Sequence, residues 1–264
     1  NVGNDKAVTL GTLAIADGTN GGLAANYTLT QAGSVADITT KVISIDGTRI
    51  YDGTANVSNS IFTLSGMIGT QTLTLSGTGT VASANVGNDK AVTTGTLALG
   101  DGTNGGLASN YTLAGGTNLA DITAKSVTLD GTRAYNASAD VANSIFNIVG
   151  LVGTQTLVLS GTGTVVSANV GNDKAVTLGT LAIADGTNGG LAANYTLVGG
   201  TNLADVTAKA VTLDGTRSYN ASADVANSIF SIVGLVGTQT LVLSGTGTVV
   251  SANVGNDKAV TLGT

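Results

Sequence analysis

The chain repeats itself every 84 residues, and that period restricts its fold to copies of one small module. The segment Asn-Val-Gly-Asn-Asp-Lys begins at Asn1, Asn85, Asn169 and Asn253, and residues 85–168 differ from 169–252 at nine positions, nearly all swaps of small or aliphatic side chains. Asn1–Thr12 recur letter for letter as Asn253–Thr264, as expected of a window on a longer array. A unit of this size folds alone, burying about 60–65% of its unfolded surface.

Within one period the residues favour strands. Gly, Thr, Val, Asn and Ser dominate and no stretch sustains a 3.6-residue repeat, so helix is confined to short turns. Val127 and Leu129 flank Thr128 in one strand, with Asp130-Gly131 read as a turn. Ile145, Phe146 and Ile148 make a short apolar strand, and Gln155–Val166 reads as the longest. Lys90–Leu99 reads as a strand with a bulge at Gly95, where the apolar set changes parity. Asn110–Leu113 and Leu119–Thr123 form the last pair. The alternation shifts again across Ala124-Lys125, which places the module boundary there. Complete modules are then 41–124 and 125–208, with 1–40 the C-terminal part of one and 209–264 the N-terminal part of another. The expected fold is all-β: a tandem array of small β-sandwich or β-grasp-like modules, end to end and elongated. With no linker between modules the array is expected to be semi-rigid, three periods spanning on the order of 100 Å.

Composition removes most chemistry. The chain has no Cys, His, Pro or Trp, and all 16 acidic residues are Asp. Catalytic triads and common zinc or copper sites lack their residues, so no catalytic role and no cofactor are expected. With 10% charged residues and a net charge of -6, no basic patch exists to neutralise phosphates, and nucleic acid is not an expected partner. No apolar run reaches the ~20 residues of a membrane-crossing helix, so no membrane insertion is expected of this window.

Thr48-Arg49-Ile50-Tyr51-Asp52-Gly53-Thr54, followed by Ala84-Asn85-Val86-Gly87 and Asn110-Tyr111-Thr112-Leu113, resembles the YDG repeat domain of large bacterial surface proteins of the filamentous-haemagglutinin type. The resemblance spans every period and implies a β-rich module strung in tandem, with no catalytic residues to carry over. It departs at Tyr135-Asn136-Ala137-Ser138 and Tyr219-Asn220-Ala221-Ser222, where the turn after the Tyr is expected to differ.

Tyr51, Tyr135 and Tyr219, with Phe62, Phe146 and Phe230, are expected to anchor equivalent small cores, since Tyr and Phe are the chain's sole source of aromatic volume. The loops containing Asp17 and Asn20, Asp101 and Asn104, and Asp185 and Asn188 offer oxygen ligands in the manner of calcium loops. They lack the further carboxylates of a real site, and Gly-rich reversal is the preferred reading. Lys6, Lys41 and Arg49 are read as exposed ion-pair partners of Asp5, Asp37 and Asp46, each worth at most about 1 kcal/mol. The functional expectation is a stalk or extracellular fibre of a secreted bacterial adhesin, at a cell surface or in biofilm, whose partners are neighbouring modules and whose arrays self-associate. The alternative is a module that itself binds polysaccharide, ice or another copy of the array, through exposed rows such as Thr78 and Thr80.

Overall fold

The computed structural model describes residues 1–113 and 118–262; the last two positions of the partial module 209–264 lie outside them. The described residues form short strands and single 3-10 turns, as their β-branched alternation and frequent glycines require. The chain is all-β, built of tandem modules.

The first large sheet takes all seven strands from between Lys41 and Thr123. Its order is Tyr111–Leu113, Lys41–Ile50, Leu119–Thr123, Gly87–Thr93, Thr78–Val81 and Asn56–Ser58, with Phe62–Ser65 added along Lys41–Ile50. The opening strand is therefore paired with the closing ones, and in parallel: Lys41–Ile43 face Tyr111–Leu113, and Asp46–Ile50 face Leu119–Thr123. Every other pairing in this sheet is antiparallel. A second sheet repeats the order between Lys125 and Thr207.

Asn118 fills the gap between the two closing strands. Its side-chain oxygen accepts the Ile45 N–H at 3.2 Å and its carbonyl accepts the Val92 N–H at 2.8 Å. Asn202 does the same for Leu129 and Val176, and both asparagines are fully buried. A buried amide is tolerated only when hydrogen-bonded, and here it replaces a missing rung of the ladder.

Three sequence expectations are corrected. Asp130-Gly131 is no turn but lies inside the ten-residue strand Lys125–Ala134. Glycine is needed there because the Ile145 carbonyl of a 3-10 turn would sit 2.6 Å from a Cβ, as the Ile61 carbonyl would sit 2.3 Å from one at Gly47. Gln155–Val166 is two strands: Leu157–Ser160 pairs with Ala182–Asp185, whereas Thr162–Val165 joins the second sheet. Gly161 breaks them with φ 89°, pressed against the Thr180 carbonyl. The bulge is displaced too. Gly95 lies in a turn closed by Leu97 N–H on the Thr94 carbonyl, while the register slips between Gly87 and Lys90. There Asp89 takes φ 50° and donates its N–H to the Asp121 carboxylate at 2.8 Å.

The described chain divides into two compact units. One gathers 1–126 with 152–155 and 187–196, the other 127–151, 156–186 and 197–264. In the first, Ile43, Leu73 and Tyr111 form a core with Leu64, Met67, Leu99 and Leu113 against it. In the second, Leu129, Val141, Val165, Val176, Leu181 and Ala204 form a core on which Ile145 and Phe146 pack.

Candidate functional site

The residues of the three signatures assemble at one place, where one period meets the next. The geometry starts from Tyr51, which leaves the end of the opening strand with its N–H on the Thr123 carbonyl at 2.8 Å. Arg49, two residues earlier, turns its guanidinium onto the following loop, donating to the Thr54 carbonyl at 2.5 Å and pairing with Asp52 at 2.5 Å. Asp52 in turn accepts the Thr54 N–H at 2.8 Å and its hydroxyl at 3.0 Å. Partial burial alone would raise the Asp52 pKa, but the Thr54 hydrogen bonds and Arg49 outweigh it and hold the carboxyl below its ordinary value.

The Asn-Ala-Ser copies make the same turn, contrary to expectation. Asn136 accepts the Ser138 N–H at 3.0 Å, and Arg133 donates to both Asn136 and the Ser138 carbonyl. Arg217, Asn220 and Ser222 repeat the set. An amide oxygen serves as well as a carboxylate in an Asx turn, so Asp can be exchanged for Asn. The cost falls on the next residue: Gly53 has φ 80°, and Ala137 and Ala221 are forced to 65° and 62°.

Against this loop come residues of the following period, all within the first compact unit. The Tyr195 ring stands edge-on to Tyr51, centroids 5.5 Å apart. Gln155 links the two hydroxyls, donating to Tyr51 at 2.8 Å and accepting from Tyr195, whose oxygen also accepts the Val152 N–H at 3.0 Å. Val152 would stand 2.9 Å from a Cβ at Gly53. Beside them Asn194 accepts the Val86 N–H at 2.9 Å and donates to Asn85 at 3.0 Å. Tyr51, Asn85 and Val86 of one period thus meet Val152, Gln155, Asn194 and Tyr195 of the next. Burial raises the Tyr195 pKa; the Val152 N–H opposes this, and Tyr51 adds to it.

The anchor tyrosines are not equivalent, which corrects a second expectation. Tyr51 is 3% exposed, Tyr135 is half-buried with Gln239 alone on its hydroxyl at 2.6 Å, and Tyr219 is 63% exposed. Tyr51 owes its cover to Gln155 and Tyr195, residues 104 and 144 positions further on. Phe62, Phe146 and Phe230 are each half-buried. Gln71, Gln155 and Gln239, and the pairing of Asn85 with Asn194, escaped sequence reasoning. The available signal was that each Gln recurs at the 84-residue step beside glycine and threonine, with no local partner.

The Asp-Gly-Thr-Asn loops hold themselves together. Asp17 and Asp101 each accept a backbone N–H, from Ala24 and Ala108 at 2.7 Å, and Asp185 is also engaged. Asn104 and Asn188 donate to the Thr70 and Thr154 carbonyls, and Asn20, Asn104 and Asn188 take φ of 52–55°. Among the described residues no three acidic side chains are gathered for a metal. Arg49 pairs with Asp52 and not Asp46, while Lys90 and Lys174 donate to the Ser83 and Ser167 carbonyls.

Such an arrangement defines a tandem array of all-β repeats joined through recurring side chains. The chain belongs to the YDG domain family, whose pattern matches residues 36–120 and again 117–204. Neither a curated protein nor a solved structure matches it.

Proposed function

We propose that the chain is a structural repeat region, a stalk or extracellular fibre, of a large secreted bacterial surface adhesin. It contributes length and display in cell-surface attachment or biofilm and catalyses nothing. One observation carries the reading: the residues that recur in each period, Tyr51, Asn85, Gln155, Asn194 and Tyr195, are occupied in joining one copy to the next. A spacer needs such joints, and an enzyme or receptor would keep recurring polar groups free for a ligand. Modules run 41–124 and 125–208, a phase supported by each large sheet drawing all its strands from one of these spans. The partners are neighbouring modules and other arrays, with no role for nucleic acid, membrane insertion or calcium.

The test is removal of one 84-residue period at a time from the parent protein on its native surface, followed by imaging and an attachment assay. Attachment should persist while its reach shortens with each deletion. Loss of attachment in proportion to repeats removed would favour the second reading, in which the module itself binds polysaccharide, ice or another array. That reading is supported by the strand Thr78–Val81, whose Thr78 and Thr80 are exposed while Gly79 and Val81 are buried.

A further inference from the structure

In each complete module the first strand and the last lie side by side and point the same way. Lys41–Ile50 opens the first module; its residues Lys41–Ile43 face Tyr111–Leu113 and Asp46–Ile50 face Leu119–Thr123, all in parallel. Asn118 supplies the rung between these two stretches through the Ile45 N–H, and the Tyr51 N–H on the Thr123 carbonyl adds one beyond the strand's end. The second module repeats the arrangement, with Asp130–Ala134 parallel to Leu203–Thr207 and Asn202 on the Leu129 N–H. Neither strand of the pair is at an edge. Lys41–Ile50 is bordered on its other side by Phe62–Ser65 and Leu119–Thr123 by Gly87–Thr93, while Ile43, Ile45, Ala120 and Ile122 are buried. A single residue, Ala124, separates the closing strand of one module from the opening strand of the next.

We infer that this strand pair is a mechanical clamp, and that each complete module bears tension along the array. With no linker between modules, tension enters the first complete module at Lys41 and leaves it at Thr123. Because the strands are parallel, those two points lie at opposite ends of the pair, and the load slides one strand along the other. Every rung from Lys41 to Tyr51 is then stretched together, and all must fail at once. A hairpin pulled at its open end would instead lose its rungs one at a time. The flanking strands and the buried side chains also keep water from replacing a rung as it lengthens, which makes each bond costly to lose. Forced unfolding follows the height of the unfolding barrier rather than the equilibrium stability, so what matters is where in the fold the load falls. Strands such as Asn56–Ser58, at the far edge of the sheet, are off the line of force.

The inference rests on the stalk reading for the source of tension, and it is measured apart from it, by single-molecule stretching of the 264-residue protein held at its two ends. The two complete modules should give two high-force events, each releasing one 84-residue period and lengthening the chain by up to about 300 Å. Handles attached through Ile50→Cys/Thr123→Cys, in a chain with no cysteine of its own, act on exposed Cα partners at the same end of the two strands. They pull the pair open rung by rung, and the first module should then yield at a several-fold lower force. In the end-to-end geometry, Asn118→Ala removes a rung and should lower the force of one of the two events. Val57→Ala, in the buried centre of Asn56–Ser58, should lower the melting temperature and leave both forces unchanged. Equal forces in the two pulling directions, or a force lost as much to Val57→Ala as to Asn118→Ala, would overturn the clamp. Failure of the stalk reading in the period-deletion assay would leave these forces as they are, so the two failures are told apart.

Discussion

Tyr51 and Tyr219 occupy the same place in the period, behind Thr-Arg-Ile and Thr-Arg-Ser, yet one is 3% exposed and the other 63%. Tyr135 lies between them, with one of the two long-range partners. Local sequence cannot be the cause, because all three carry the same Arg-closed turn. Burial of the signature is a property of two successive copies and not of one. The anchor that Gln155 and Tyr195 cover is core, and the same residue without that cover is surface.

The largest difference expected from this comparison is between Ile122 and Ile38. Ile122→Ala should cost about 2–5 kcal/mol in urea unfolding, as for a fully buried aliphatic, whereas Ile38→Ala should stay within about 0.5 kcal/mol. Similar losses at both positions would erase the distinction between the buried and the exposed isoleucine. Next is the glutamine link. Gln155→Ala removes the donor to the Tyr51 hydroxyl and the acceptor of the Tyr195 hydroxyl and should cost about 1–3 kcal/mol, while Gln239→Ala, facing the half-buried Tyr135, should cost well under half of that. A calorimetric scan of both variants separates them.

The turns give a smaller effect of opposite sign. Ala137→Gly and Ala221→Gly relieve an L-residue held at positive φ and should each raise stability by about 0.5–1 kcal/mol. Gly53→Ala should destabilise by more than either gain, since it meets Val152 as well. If the alanine-to-glycine changes are neutral or harmful, the shared turn geometry is wrong.

The smallest effects are in pH. Tyr195 has its pKa raised by burial, so the stability it contributes is full below about pH 10 and is lost as pH rises through its higher folded value. Asp52 has its pKa lowered, so its contribution is present above about pH 3.9 and is lost as pH falls through its lower folded value. Tyr195→Phe should flatten the alkaline limb of a melting-temperature profile, and Asp52→Asn the acid limb with the turn retained, as Asn136 retains it.

How far the sequence could be read follows from where each cause lies. Leu119–Thr123 and Tyr111–Leu113 were legible because alternation and the neighbouring glycines are local signals. Asp130-Gly131 misled because its glycine answers to the Ile145 carbonyl, fourteen residues away, and not to a turn. Asn118 falls between the two closing strands, and its job as a ladder rung needs knowledge of which strands flank it. The signatures were readable as a family pattern, but their meeting was not, since Tyr51 and Gln155 are 104 residues apart and no periodicity within one module brings them together.

The central claim, that signature residues of one copy bind those of the next, is tested most directly by a double-mutant cycle on Tyr51→Phe and Gln155→Ala, read by denaturant unfolding. The Gln155 amide, which donates to the Tyr51 hydroxyl at 2.8 Å, and that hydroxyl should show a coupling of about 0.5–2 kcal/mol, as residues in direct contact do. Strict additivity of the two changes would mean that the copies do not meet at this bond, and would contradict the account.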